Sequence, residues 1–154
     1  KNGLKEDVEA WEKHEGFRLE IPSLKKMLTM NSREWDVECL TPQKMRDMYH
    51  RSQLLVYYFC HLDGDAKGSR FIKFMDAAYS QVAELRAFFA DPRVKRMDGG
   101  RFSYPSDFPP PDMNPLTAPF KHLHLLQAER PYAQLAQEII NSFKTIGLKV
   151  QVGE

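Results

Sequence analysis

Residues 41–62 read TPQKMRDMYHRSQLLVYYFCHL, and this stretch decides the fold class. Thr41 is a good helix N-cap, because its hydroxyl can accept a hydrogen bond from one of the orphan backbone N–H groups at a helix start. Pro42 follows at the first helical position, where its missing N–H costs nothing. Met45, Met48, Tyr49, Ser52, Leu55, Val56, Phe59 and Leu62 then fall on one broad stripe at helical spacing. Leu54, Tyr57 and Tyr58 add apolar surface on its flanks. A helix apolar on most sides is expected to be buried against several neighbours. The turn sequence Asp63-Gly64-Asp65 ends it.

Working outward, the same rules give more helices. On the N-terminal side, Leu4, Val8 and Trp11 recur at helical spacing before Gly16. Pro22 and Ser23 open a short helix carrying Leu24, Met27 and Leu28, and Asn31 or Ser32 can cap a turn that carries Trp35. On the C-terminal side, Gly68-Ser69 opens one long helix or two, with Phe71, Ile72, Met75, Ala78, Tyr79 and Val82 expected on the buried face. Leu85, Phe88 and Phe89 continue that pattern to Asp91-Pro92, where proline ends it. Pro119 is expected to start a helix reaching Leu126. Pro131 is expected to start the last, lined by Tyr132, Leu135, Ala136, Ile139, Phe143 and Ile146 and closed by Gly147. Residues 148–152 alternate like a strand, whose partner is either the proline-rich loop or a part of the protein outside this chain.

Between these helices, residues 93–117 hold Gly99-Gly100 and Pro105, Pro109, Pro110, Pro111 and Pro115. A loop this long inside a compact domain is often functional. Phe102, Tyr104 and Phe108 suggest that it packs onto the body. The fold class is therefore mainly α: a bundle-like array of about five to seven helices with a long proline-rich loop and a short C-terminal strand. Residues 1–154 are expected to be a single helical domain, and a C-terminal fragment of a larger protein, since the chain opens on Lys1 without a signal peptide.

Composition narrows the function classes. Lys and Arg total 22 against 21 Asp and Glu, a net charge of +1, which offers no broad footprint for nucleic acid or an anionic membrane. No aromatic stacking platform or recognition motif is read as accompanying the cluster Arg93, Lys95 and Arg96, so it reads as solvated surface and no nucleic-acid partner is expected. No apolar run approaches the ~20 residues needed to span a bilayer. Two cysteines, Cys39 and Cys60, are too few for a disulfide scaffold and read as buried free thiols.

No complete catalytic motif is present. His14-Glu15 lacks the second histidine of HExxH. His50 and His61 share a helix face but stand ~16 Å apart along it, too far to chelate one ion. His122 and His124 point to different sides of a helix. Asp63–Gly68 resembles the opening of an EF-hand loop, but Lys67 and Phe74 occupy positions that need ligands. GxSxG and a Gly-rich phosphate loop are both missing.

The stretch Tyr49-His50-Arg51-Ser52-Gln53-Leu54-Leu55-Val56-Tyr57-Tyr58-Phe59, followed by Phe71-Ile72-Lys73-Phe74-Met75-Asp76-Ala77-Ala78-Tyr79, resembles the helices that follow the zinc site in gluzincin metallopeptidases, peptidase MA-like bacterial proteins above all. The lead-in, residues 21–28 and 32–35, is similar as well, so the likeness covers about residues 20–90. The resemblance implies a C-terminal helical subdomain that forms a wall of the active-site cleft of a zinc-dependent peptidase and is catalytically incomplete on its own. It implies that Tyr49 donates its phenolic O–H to the oxyanion of the tetrahedral intermediate, helped by a position near a helix N-terminus. Zinc would belong to the full-length parent, with none held in this chain, because the HExxH and glutamate ligands lie N-terminal to the matched region. The partners implied are the N-terminal catalytic half of the parent and a peptide substrate. Such parents are often exported to the bacterial periplasm or medium; the residues themselves leave the compartment open.

The plainer reading of Tyr49 is a core residue with its hydroxyl at the edge. A different class of function also stands: a non-catalytic helical interaction domain that binds through the Arg93–Thr117 loop. A cleft wall predicts an apolar face left open where the other half docks, and a self-contained module predicts none.

Overall fold

A computed structural model describes residues 3–111 and 121–154. Among them seven α-helices and four two-residue strands are found, so the chain is mainly helical. The helices are α1 (Gly3–Glu15), α2 (Leu24–Thr29), α3 (Ser32–Glu38), α4 (Pro42–His61), α5 (Ser69–Ala90), α6 (Leu123–Gln127) and α7 (Tyr132–Thr145). The strands are β1 (Glu20–Ile21), β2 (Lys95–Arg96), β3 (Phe102–Ser103) and β4 (Gln151–Val152).

The helix starts follow the local chemistry. Thr41 Oγ1 accepts from Lys44 N–H at the head of α4, and Ser23 Oγ caps α2 through Lys26 N–H. Asn31 caps α3 in a reciprocal capping box with Glu34. The stretch 69–90 is one unbroken helix of 22 residues, ~33 Å long at 1.5 Å per residue. The C-terminal strand is shorter than residues 148–152, and its partner is neither the proline-rich loop nor an absent part. β4 runs parallel to β1, Glu20 opposite Gln151 and Ile21 opposite Val152. The described part of the 93–117 segment also has structure: β2 and β3 form an antiparallel hairpin across a 3₁₀ turn at Asp98–Gly100. The helix expected from Pro119 begins at Leu123; Pro119 itself, like Pro115 and Thr117, lies outside the described residues.

The core gathers α1, α4, α6 and α7 around the β1–β4 pair. Ile21, Leu24, Leu54, Leu135, Ile139 and Phe143 are sealed from solvent, and Tyr58 and Phe59 join them from α4. The buried stripe of α4 is rotated from the expected one. Leu54 and Tyr58, expected on the flanks, are buried, while Met45, Tyr49 and Val56 face outward. On α5 the departure is larger. Phe88 is its one buried residue, and Ile72, Tyr79, Val82 and Phe89 are exposed. Helical spacing identifies an apolar stripe but not what covers it, and α5 carries apolar residues on more than the face that meets α4 and α6.

Candidate functional site

Tyr49 lies on the outer surface of α4, 58% exposed, so it is not a core residue. Its ring meets Trp35 of α3 edge-on, with centroids 5.7 Å apart. It stands seven residues beyond Pro42, the first residue of α4. The field of a helix terminus falls off within the first turn, so the N-terminal dipole does not reach it. Its neighbour His50 points inward. His50 Nε2 lies 3.0 Å from Glu15 Oε2, its ring stacks on Trp11 at 4.2 Å, and Phe17 closes its edge at 5.0 Å. Arg46 also reaches Glu15. His50 therefore ties α4 to α1 and is not held out to a ligand.

The densest polar chemistry lies at the other end of α4, around Asp63. This side chain is 1% exposed, in a turn whose resemblance to a calcium loop gave no hint of its partner. Arg130, in the connection between α6 and α7, donates from Nη1 to Asp63 Oδ1 at 2.9 Å and to Glu138 Oε2 at 2.6 Å. Its Nη2 reaches Asp63 Oδ2 at 3.3 Å and the Leu126 carbonyl at 2.8 Å. Its Nε donates to the Gln127 carbonyl at 2.8 Å. Tyr58 Oη accepts from Arg130 Nη1 at 3.3 Å and donates to Asp63 Oδ1 at 3.4 Å. Arg70 at the start of α5 adds a bond to Asp63 Oδ1 at 2.6 Å.

This cluster joins four segments: the end of α4, the start of α5, the end of α6 and α7. It also stabilises an unfavourable backbone. Ala128 and Glu129 are consecutive non-glycine residues with φ of 48° and 64°, a conformation costing roughly 1–2 kcal/mol per residue. The Arg130 guanidinium holds them by binding the last carbonyls of α6. Burial opposes the charge on Arg130, but the hydrogen bonds to Asp63 and Glu138 outweigh it and raise its pKa. Burial likewise opposes the charge on Glu138, and the bonds from Arg130 and Gln134 outweigh it, so its carboxyl ionises below the usual range. Burial, reinforced by the Asp63 carboxylate, pushes the Tyr58 phenol up to about 12.

Beside the cluster a surface hollow of about 760 Å³ is lined by Arg70, Lys73, His124, Glu129 and Arg130 among others. Among the described residues every N–H of Arg130 is engaged, so Arg130 is a structural clasp, whereas Arg70, which lines the hollow, is bonded to Asp63 through Nη1 alone. Sequence spacing could not reveal the clasp, because Asp63 and Arg130 are 67 residues apart.

The remaining candidates are chemically quiet. Cys39 and Cys60 are both free and only partly buried. Burial, the first cause at each, raises both thiols, whereas a nucleophilic cysteine needs a lowered pKa. Among the described residues no group of three or more His, Cys, Asp or Glu could hold a metal ion. Among the described residues the Tyr49 side chain makes no hydrogen bond or ion pair, and its aromatic partner is Trp35. No described helix is long and apolar enough to cross a membrane. No family model matches the chain, no curated protein matches its sequence, and no solved structure matches its fold.

Proposed function

We propose that this chain is a helical docking domain, without a complete active site of its own, whose α4 and α5 surfaces pack against another protein body. The observation that carries this reading is the row of large apolar side chains left open on both long helices: Met45, Tyr49 and Val56 on α4, and Ile72, Tyr79 and Val82 on α5. On α5, Ile72, Met75, Tyr79 and Val82 follow heptad spacing, the pattern by which a helix presents a seam to a partner. Exposed apolar rows of this length mark interaction surfaces. The test is site-directed photocrosslinking of the full-length protein in its own cell. A photoreactive residue at Tyr79 or Val56 is expected to capture a protein segment, intramolecular or from a partner, while one at the exposed Lys13 captures none. Equal yields at all three positions would remove the docking surface.

The finer reading within this proposal is the wall of a gluzincin-like zinc peptidase, with Tyr49 offered to the cleft. It is favoured by one observation: the Tyr49 side chain is open to solvent on an apolar row, where a substrate-facing phenol needs to be. On this reading zinc is held by the preceding half of the parent, where the resemblance places the HExxH and glutamate ligands. An upstream coding sequence lacking HExxH would sink this version while leaving the docking reading intact. In an active parent, Tyr49→Phe is expected to lower kcat by about 10²–10³, the usual cost of losing one oxyanion donor, with the melting temperature unchanged.

A further inference from the structure

The β2–β3 hairpin assembles what the sequence around Arg93, Lys95 and Arg96 lacks. Across the ladder Arg96 faces Phe102 and Lys95 faces Ser103. Lys95, Arg96 and Arg101 are all exposed, and no ion pair is formed by any of them among the described residues. Between and beside them Phe102 is 40% and Tyr104 is 39% exposed.

The rings are held, not loose. Phe102 packs against Phe89 at 4.6 Å and Tyr104 against Phe88 at 5.5 Å. Phe108 stacks on Phe88 at 5.3 Å. Arg93 lies outside this count: it binds Asp91 and caps the Phe108 ring at 3.7 Å, which fixes the base of the hairpin. A recess of about 430 Å³ is bounded by Met97, Arg101, Phe102, Ser103 and Tyr104. Over residues 95–104 three cations face one carboxylate, Asp98, at the tip.

We propose that this hairpin is a binding site for single-stranded nucleic acid. Arg96 shares a face of the hairpin with Phe102, Arg101 bounds one recess with Phe102 and Tyr104, and Lys95 lies on the opposite face; cations set beside fixed, half-open aromatic rings can track a phosphate backbone while bases stack on π-faces. Charge complementarity selects a polyanion, and the rings select one that carries planar bases. An anionic bilayer fits less well. The tip of the hairpin, which would enter it first, is Asp98-Gly99-Gly100, acidic and without apolar bulk, while the rings lie at the base against α5. The site is separate from the α4–α5 surface proposed for docking, and the two fail independently.

The experiment is fluorescence anisotropy of the full chain with labelled oligothymidylate and oligouridylate over a salt series, beside flotation with vesicles of phosphatidylcholine and phosphatidylserine. Binding is expected at low salt and should weaken as salt rises. The triple variant K95Q/R96Q/R101Q should reduce the log–log salt slope by about 2, near 0.7 for each lost phosphate contact. Tyr104→Ala and Phe102→Leu, the latter keeping an apolar contact with Phe89, should each weaken binding about tenfold with the slope unchanged. Circular dichroism of each variant verifies the fold. Absence of oligonucleotide binding at low salt overturns the proposal. So does binding indifferent to the triple variant, or vesicle binding that depends on the hairpin while oligonucleotide binding does not.

Discussion

Arg130 shows how one side chain can hold several segments in place. It is 9% exposed and faces two carboxylates, Asp63 and Glu138. Removing one partner of a buried ion pair costs more than the pair contributes, because the charge left behind keeps its desolvation penalty. Arg130→Met should therefore destabilise the protein by about 3–5 kcal/mol, read from the midpoint of a denaturant titration. Arg70, still bound to Asp63, sets the low end of that range. Arg130→Lys should recover little, because a single ammonium cannot serve Asp63, Glu138 and two carbonyls at once. Full recovery by lysine would show that charge alone matters and the forked geometry does not.

At the scale of elements, features governed by neighbours in sequence were legible. Thr41-Pro42 marked the start of α4, and Asn31 or Ser32 marked that of α3, because caps act over three residues; the structure selects Asn31. Which apolar residues are covered was not legible. Met45, Tyr49 and Val56 lie on the same periodic pattern as Met48, Leu55 and Phe59, and only the packing of α1 and α7 distinguishes them. The candidate site was less legible still. Tyr49 was singled out from resemblance, and the fold leaves it exposed beside Trp35. The Asp63–Arg130 clasp and the ring-bearing hairpin depend on contacts that no local motif encodes. β4 is a further case: a two-residue strand carries almost no periodic signal, and its register rests on one tight approach. A Cβ added at Gly153 would lie 2.2 Å from the Pro22 carbonyl oxygen, too close for any backbone atom. Gly153→Ala should force β4 from β1, break the Leu24 N–H to Gly153 carbonyl bond, and lower Tm by several degrees, about 1–3 kcal/mol of lost packing and hydrogen bonding. An unchanged melting curve would mean that the β1–β4 pair is dispensable.

For the whole molecule, stability should depend on pH at both extremes, with opposite causes. The Tyr58 phenol titrates at about 12 in the fold against an ordinary 10.0. The raised value means that the folded chain retains a proton the unfolded chain has lost. Its contribution is complete below pH 10 and is lost as pH rises from 10 to about 12. Glu138 works in the other direction. Its depressed pKa gives stability that is present above the unfolded carboxyl value and is lost as pH falls through the folded one. Urea titrations across pH should show both losses, and Tyr58→Phe should flatten the alkaline branch selectively. An alkaline branch identical in that variant would assign it to other groups. The β1–β4 pair adds a consequence in time. Glu20 must wait for Gln151 before the ladder closes, so on the ribosome the β1 edge stands without its strand partner until the residues of β4 have emerged. Closing a loop of that span carries a large entropic cost and slows the final step. Throughout that interval the open β1 edge can pair with a foreign strand, although most of the chain's contacts are helical and local.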